Sequence, residues 1–252
     1  MKRPALKIAI LVVAVYLVGL LALFPASLAV RWFVPSIPGL VIAPASGTVW
    51  NGNVTGIRYA DWNVGSATWK LDPLALLTLQ IAADVNVERA NATPLLFNVR
   101  TGLAGNIAFT DLKGELTVAD LEQLRLVPRN IASGNLLFNM VLLELSRDGR
   151  LLAADGRLGA TNLQSAFIPD VSLGSYESDV ETSDTGISAT FRDVEAPLRV
   201  GGQANLQPDG RYTVSGNITP TEETPESLRR GLVLLGQPDA SGRYAFRFNG
   251  SL

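Results

Sequence analysis

Leu79–Glu88 reads LQIAADVNVE, and its apolar residues fall at every second position. The apolar set is Leu79, Ile81, Ala83, Val85 and Val87. A period of two is typical of a β-strand, because successive side chains of a strand point to opposite faces of its sheet. The stretch therefore predicts a strand with one buried face and one wet face.

The chain around this stretch continues in the same style. Short apolar segments at Leu95–Arg100, Gly105–Phe109 and Leu112–Val118 are separated by Gly, Asn and Asp, which favour turns. Asn135–Ser146 is apolar on both faces and predicts a central strand, while Tyr244–Leu252 predicts a closing strand. We expect roughly twelve or more strands.

Three short helices interrupt the strand pattern. Asp72–Leu77 predicts one helical turn, and Ala119–Leu126 predicts a short amphipathic helix. Pro225–Leu235 predicts a third helix, with Thr224 as N-cap and Gly236 as C-cap.

The N-terminal stretch Ile8–Val30 contains no charged residue. A helix of about 23 residues is roughly 34 Å long and can cross a bilayer core of about 30 Å. The basic residues in 1–7 predict a cytoplasmic N-terminus. Residues 8–30 are therefore predicted to be a transmembrane signal-anchor of an inner membrane, single-pass.

The segment after this span sets the boundaries of the exported part. Trp32 and Phe33 lie where interfacial aromatic residues occur, so they are the candidate membrane interface. Residues 31–45 are a Pro- and Gly-containing linker, and residues 46–252 are the periplasmic β-rich domain. The alternative is a signal peptide cleaved after Ala29, which leaves a periplasmic protein.

The sequence therefore predicts a mainly β protein. The predicted fold is an N-terminal transmembrane helix followed by a large, strongly twisted, predominantly antiparallel β-sheet domain with two or three short helices. A β-sandwich or barrel is the alternative, because a sheet of so many strands usually curls, splits or closes.

Composition excludes several classes of function. The net charge is −2 and the 21 basic residues are scattered, which disfavours a nucleic-acid partner. The chain has neither cysteine nor histidine, so it cannot build common zinc sites, Ser-His-Asp triads or Cys-His dyads. We predict no catalytic residue, no metal ligand and no cofactor.

Carboxylates are the one remaining route to catalysis. Asp179 and Glu181 lie two residues apart on a predicted strand, as do Asp193 and Glu195, and Glu222-Glu223 precedes a helix. Such residues are usually solvated strand faces and helix-terminal charges. The prediction is therefore that the chain is not an enzyme.

Four aromatic residues concentrate in a window of about twenty residues: Trp50, Tyr59, Trp62 and Trp69. The simpler interpretation is the core of a first hairpin, whose turn is indicated by Asn51-Gly52. The alternative is an exposed interaction patch.

Three segments, taken in order, carry a resemblance to a known family. They are SGTVWNG at Ser46–Gly52, WKLDPLALL at Trp69–Leu77 and GLVLLGQPDASGRY at Gly231–Tyr244. With the N-terminal anchor, they resemble the protein N family of the type II secretion system, the general secretion pathway. The resemblance implies a non-enzymatic accessory component of the secretion apparatus, anchored in the bacterial inner membrane with its C-terminal domain in the periplasm.

The partners implied are other type II secretion components and the inner-membrane lipid bilayer. The expected mechanism is protein–protein contact, including strand addition at an open sheet edge. A periplasmic lipid- or hydrophobic-ligand-binding bridging protein is the alternative, in which alternating strands such as Leu79–Val87 line an apolar face and bind lipid.

Overall fold

The computed structural model describes residues 12–13, 15–16, 19–20, 22–33, 39–60, 62–89, 92–166 and 171–251, without the side chains of Trp32 and Phe33. These residues form one 14-stranded sheet. From β3 onward each strand pairs with the next strand in sequence, and β1 and β2 both pair with β3. Every pairing described is antiparallel. The sheet is open, so it is neither two packed sheets nor a closed cylinder.

The strands are β1 (Leu40–Ile42), β2 (Ser46–Gly47), β3 (Asn51–Tyr59), β4 (Trp62–Leu71), β5 (Ile81–Glu88), β6 (Leu95–Thr101), β7 (Ile107–Thr117), β8 (Ala132–Leu145), β9 (Leu151–Ser165), β10 (Ser172–Ser183), β11 (Gly186–Glu195), β12 (Leu198–Leu206), β13 (Arg211–Pro220) and β14 (Tyr244–Ser251). The predicted closing strand and the predicted central strand Asn135–Ser146 are confirmed as β14 and β8.

The helices are short and lie at the ends of the sheet. They are α1 (Ala26–Phe33), α2 (Val118–Gln123) and α3 (Glu226–Leu232), with 3₁₀ turns at Ala75–Thr78 and Val233–Leu235. The three predicted helical segments are thus confirmed in place. Helix α2 begins with a capping box, in which Thr117 and Asp120 each accept a hydrogen bond from the other's backbone amide.

Three apolar clusters form the core. The first joins Ala26 and Val30 of α1 to β3–β6, and the third joins Leu228 and Leu232 of α3 to β12–β14. The second lies in the middle of the sheet and contains residues of strands β7–β12 only. Among the described residues no large side chain is completely buried, as expected where one layer is only partly covered by a second.

The described residues between 12 and 22 are helical, and the Leu23 amide bonds to the Gly19 carbonyl. Proline then interrupts the helix: Pro25 forms a bridge with Thr48, and the Val49 amide donates to the Phe24 carbonyl at 2.9 Å. Within the described residues, no helix has both the length and the apolar character that crossing a bilayer demands. The predicted span 8–30 lies partly outside the described residues and stays a prediction.

Two local predictions are wrong. Asn51-Gly52 does not form the hairpin turn, because both residues already belong to β3 and the turn is closed by the Thr48 amide on the Asn51 carbonyl. Thr224 does not cap α3, since its hydroxyl accepts from the Thr221 amide at 2.7 Å and donates to the Pro197 carbonyl. β1 lies within residues 31–45, the predicted linker, and the division of the chain into domains stays a prediction.

Candidate interaction surfaces

The strand register produces one almost entirely polar row across the sheet. Residues paired directly opposite each other lie on the same face of a sheet. From β2 to β14 the row runs Ser46, Asn53, Thr68, Asn86, Leu96, Lys113, Asn139, Arg157, Asp179, Thr190, Gln203, Ser215 and Arg247. Only Leu96 is apolar. This row defines the polar face.

The neighbouring row, on the opposite face, is apolar from β7 to β14. It consists of Leu112, Met140, Gly156, Val180, Ala189, Ala204, Val214 and Phe248. This row defines the apolar face. In its middle section the apolar cluster contains strand residues only, so among the described elements no helix covers it. A long apolar strip therefore runs along the sheet, and side chains of neighbouring strands bury its centre, where Met140 and Val180 are 4% and 6% exposed.

Aromatic rings on the apolar face lie above glycines of adjacent strands. Phe191 of β11, Gly202 of β12, Gly216 of β13 and Phe246 of β14 form one continuous register row. The two phenylalanine rings stack with centroids 6.3 Å apart and an interplanar angle of 22°. Because the glycines have no side chains, rings from two separated strands can meet above them.

The two edges of the sheet differ. On one side, β3 is covered by the short strands β1 and β2, beyond which Pro25 bridges to Thr48. On the other side, β14 has no strand partner beyond it among the described residues. Its register with β13 is continuous from Arg211 to Ile218, with neither a bulge nor a proline in β14. β14 is therefore a straight edge without the devices that usually block strand addition, apart from the charge of Arg247.

The side chains at this edge end both rows. Arg247 ends the polar row and is exposed, and no carboxylate of the described residues forms an ion pair with it. Phe248 ends the apolar row and is 57% exposed. An added strand would place one side chain beside a cation and the next beside an aromatic ring.

The four predicted patch aromatics do not lie together. Trp62 pairs with Tyr59 at one end of the β3–β4 hairpin, while Trp69 pairs with Gly52 near the other end, beside the turn that holds Trp50. Seven residues of strand separate the pairs by roughly 20 Å. The indole of Trp69 donates to the Val49 carbonyl at 2.9 Å. The interaction patch stays a prediction.

Trp32 and Phe33, the candidate membrane interface, are the last two residues of α1. Their side chains lie outside the described part of the chain, so that role also stays a prediction.

A buried ion pair fixes the far end of the first hairpins. The Arg89 guanidinium contacts Asp120 at 2.8 Å, and the two side chains are only 6% and 16% exposed. The Trp62 indole donates to the same carboxylate at 2.9 Å, and Arg89 also donates to the Glu115 carbonyl. One cluster thereby joins β4, the end of β5 and α2. Sequence reasoning missed it, because its members are up to 58 residues apart.

The electrostatics of Asp120 reflect this setting. Burial raises the pKa of its carboxyl, but hydrogen bonds from Thr117 and Trp62 and the charge of Arg89 outweigh burial, so the pKa lies below its ordinary value. The carboxylate is therefore ionised at neutral pH. It holds β4, the end of β5 and α2 together.

The carboxylates considered for catalysis have structural partners or are exposed. Asp179 accepts hydrogen bonds from Arg157 and Arg192, and the first of these lowers its pKa most. Asp193 accepts from the Val200 amide at 2.7 Å. Glu181 is exposed. Within the described ranges, no group of three or more acidic residues could hold a metal ion.

The other two carboxylate sites are also on the surface. Glu195 is the last residue of β11, and Glu222-Glu223 precede α3. All three side chains are exposed.

Comparison with known proteins places this arrangement in a family. A family model described as "Type II secretion system (T2SS), protein N" matches residues 38–247. The protein of that name from Aeromonas hydrophila is 30% identical over 270 aligned positions that cover all of both chains. The chain belongs to the type II secretion system protein N family.

Two other protein N sequences also match most of the chain. That of Vibrio cholerae is 31% identical over 226 residues, covering 86% of this chain and 87% of its own. That of Pectobacterium carotovorum is 20% identical over 246 residues. No solved structure matches.

The protein N match begins just before β1 and ends within β14. The family pattern therefore coincides with the sheet and its terminal edge. The resemblance drawn from Ser46–Gly52, Trp69–Leu77 and Gly231–Tyr244 is confirmed.

Proposed function

We propose that this protein is a non-enzymatic component of the type II secretion apparatus, tethered to the inner membrane by the part of the apolar stretch 8–30 that precedes Phe24, since Ala26 and Val30 pack on the sheet. Its sheet lies in the periplasm and contacts other components of the apparatus. Membership of the protein N family supports the assignment of this protein to the secretion apparatus. The bare edge of β14 is the observation that supports contact by strand addition.

The edge also defines the chemistry of its partner. Backbone groups on the outer side of β14 provide a ladder for an extended segment. Beside Phe248 such a segment places an apolar side chain, and beside Arg247 it places a carboxylate, which compensates the unpaired guanidinium. The partner segment therefore alternates apolar and acidic residues.

Photo-cross-linking in cells that contain the whole apparatus tests this proposal. A photoreactive residue is introduced at Ala245, Arg247 or Asn249 of β14, one position at a time. The matched control is Glu181, which is also exposed but lies on β10, a strand paired on both sides. We expect cross-links to a secretion component from β14 and not from Glu181.

Two outcomes contradict the proposal. Cross-links of equal strength from Glu181 would reject the edge as the contact. The absence of any cross-linked secretion component from all three β14 positions would reject protein contact through this strand.

The apolar strip supports a second candidate function, the binding of lipid or another hydrophobic ligand. Its middle is packed, with Met140, Val180 and Ile187 only 4%, 6% and 8% exposed, while its end at Phe248 is 57% exposed and offers the accessible apolar surface. Chains that carry lipid along a sheet need such a continuous apolar surface.

Native mass spectrometry of the full chain, released from membranes in mild detergent, tests the second candidate. Phe248→Asp, which charges the exposed end of the strip, should lower the bound-lipid signal severalfold. The control Thr190→Asp adds the same charge on the polar face and should leave it unchanged. A lipid-free spectrum of the wild-type chain would reject ligand binding.

A further inference from the structure

Exposed leucines cluster in two loops at one end of the sheet. The β4–β5 loop carries Leu74, Leu77 and Leu79, which are 69%, 82% and 67% exposed, and the β6–β7 loop carries Leu103, which is 84% exposed. Single exposed leucines are common on protein surfaces, whereas four in adjacent loops form a patch that requires a covering. We call these four residues the leucine tips.

The two loops are adjacent, because they directly flank Ile81 of β5 and Thr101 of β6, which pair with each other. A side-chain carbon of Gln80, at the end of the first loop, lies 3.7 Å from where a Cβ on Gly102 of the second loop would be. In an antiparallel sheet without crossovers, every second turn falls at the same end, and the β4–β5 and β6–β7 turns share one end.

A chain of hydrogen bonds links this end to the N-terminal helix. The Val49 amide donates to the Phe24 carbonyl at 2.9 Å, and the Leu71 amide donates to the Trp50 carbonyl at 2.8 Å. Leu71 is directly followed by the loop with the leucine tips. The helical residues before Phe24 include Val12, Val15 and Leu20, whose apolar side chains are exposed.

The backbone conformation of Leu79 independently indicates that its side chain contacts another molecule. Its φ is +56°, in the left-handed region where glycine or asparagine is favoured over leucine. Leucine at such a position, with its side chain turned to solvent, brings no core packing in return.

We propose that the leucine tips insert into the surface of the lipid bilayer beside the N-terminal helix, so that the sheet stands on the membrane at this end. The inference rests on the tether in the proposed function. Apolar side chains at a membrane surface sink to the boundary between headgroups and acyl chains. A second, lateral anchor then fixes the orientation of the sheet, which a single helix cannot do.

Site-specific quenching tests the contact, and the absence of cysteine allows one label at a time. Leu77→Cys and Leu103→Cys are labelled with an environment-sensitive fluorophore, and the full chain is reconstituted in phosphatidylethanolamine–phosphatidylglycerol vesicles with or without brominated acyl chains. We expect brominated lipid to reduce the fluorescence about twofold at both sites, consistent with a depth of about 5–10 Å.

The matched control is Leu126→Cys. Leu126 is as exposed as Leu74, at 69%, but lies in the β7–β8 connection at the opposite end of the sheet. The intervening strand β7 of 11 residues spans roughly 36 Å. This label should not be quenched.

Failure of the inference is distinguishable from failure of the tether. If the chain does not float with the vesicles at all, the tether is wrong and the inference falls with it. If the chain floats but labels at Leu77 and Leu103 are quenched no more than the label at Leu126, the tether stands and insertion of the leucine tips is rejected.

Discussion

Phe191 and Phe246 stack with ring centroids 6.3 Å apart, although two strands lie between the strands that carry them. The rings meet because Gly202 and Gly216 stand between them in the same register row. Side chains at either glycine would occupy the space of the rings. This row ties four strands together near the bare edge.

Gly216→Ala should lower the free energy of unfolding by about 2 kcal/mol, because overpacking forces neighbours to move. The new Cβ would lie 2.5 Å from the Gly201 carbonyl oxygen and 2.8 Å from Cζ of Phe246. Urea unfolding of the full chain in detergent, followed by circular dichroism, measures the change.

Gly201 provides the control for this prediction. It lies on β12 next to Gly202, and a Cβ there would have no neighbour within 4 Å. Gly201→Ala should be neutral or stabilising by about 0.5 kcal/mol, because alanine loses less backbone entropy on folding. Equal destabilisation by both substitutions would show that steric conflict with the rings is not the cause.

Arg89→Met should be among the most destabilising single changes, at about 3 kcal/mol, because it leaves Asp120 charged in a buried site. The exposed pair of Arg150 and Asp148 provides the comparison, with a similar distance of 2.7 Å. Arg150→Met should cost no more than about 0.5 kcal/mol. The same unfolding experiment measures both, and similar values for the two arginines would contradict the role of burial.

The pH dependence of stability should reveal Asp120. Its pKa is lower in the folded chain than the ordinary value of 3.8, so its contribution is complete above about pH 4 and is lost as the pH falls through the folded pKa. Wild type and Asp120→Asn should therefore differ most in free energy of unfolding above pH 4, and the difference should narrow toward pH 2.

Wild type and Asp120→Asn share the other aspartates with lowered pKa values, so the contributions of these aspartates cancel in the difference in free energy of unfolding. They are Asp148, Asp179, Asp209 and Asp239. A difference that stays constant from pH 5 to pH 2 would show that the pKa of Asp120 is not lowered by folding.

Leu79→Asn should stabilise the fold by about 1 kcal/mol, since asparagine tolerates the left-handed backbone better than leucine. Leu77→Asn also removes an exposed leucine, but Leu77 has no positive φ and should give no gain. Thermal unfolding of the two variants side by side separates the backbone effect from side-chain loss. Destabilisation by Leu79→Asn would show that the leucine packs against the fold.

The alternation of apolar and polar residues predicts most of the strands. The alternation in Leu79–Glu88 predicts β5, with Val87 in the first core cluster and Val85 packed against it, but the predicted faces are wrong at the start of the strand, where Ile81 is exposed and Ala82 is buried. The same pattern extended two residues too far, because Leu79 is the left-handed C-cap of a 3₁₀ turn and its amide donates to the Leu76 carbonyl at 3.1 Å. A period of two cannot distinguish a strand from an apolar loop that is exposed for another reason.

Long-range pairing could not be obtained from local patterns. The bulges at Asp111 and Val141 keep Leu112 and Met140 on the apolar face, and a shift of one residue would have moved them to the other. The cluster of Trp62, Arg89 and Asp120 likewise depends on strand order. The sequence singles out the tryptophans only as large aromatic residues. The fold shows that the indoles of Trp62 and Trp69 donate hydrogen bonds within the protein.

The neighbour-to-neighbour order of the strands has a consequence for biogenesis. From β3 to β14 each strand needs only the one before it as a template, so contacts stay local in sequence and the loop-closure entropy of each addition is small. If the strands cross a membrane in sequence order, the sheet can therefore form hairpin by hairpin, and each new strand pairs with the strand that crossed just before it. β14 is the position at which that growth stops within the described chain, ready to template a strand from another molecule.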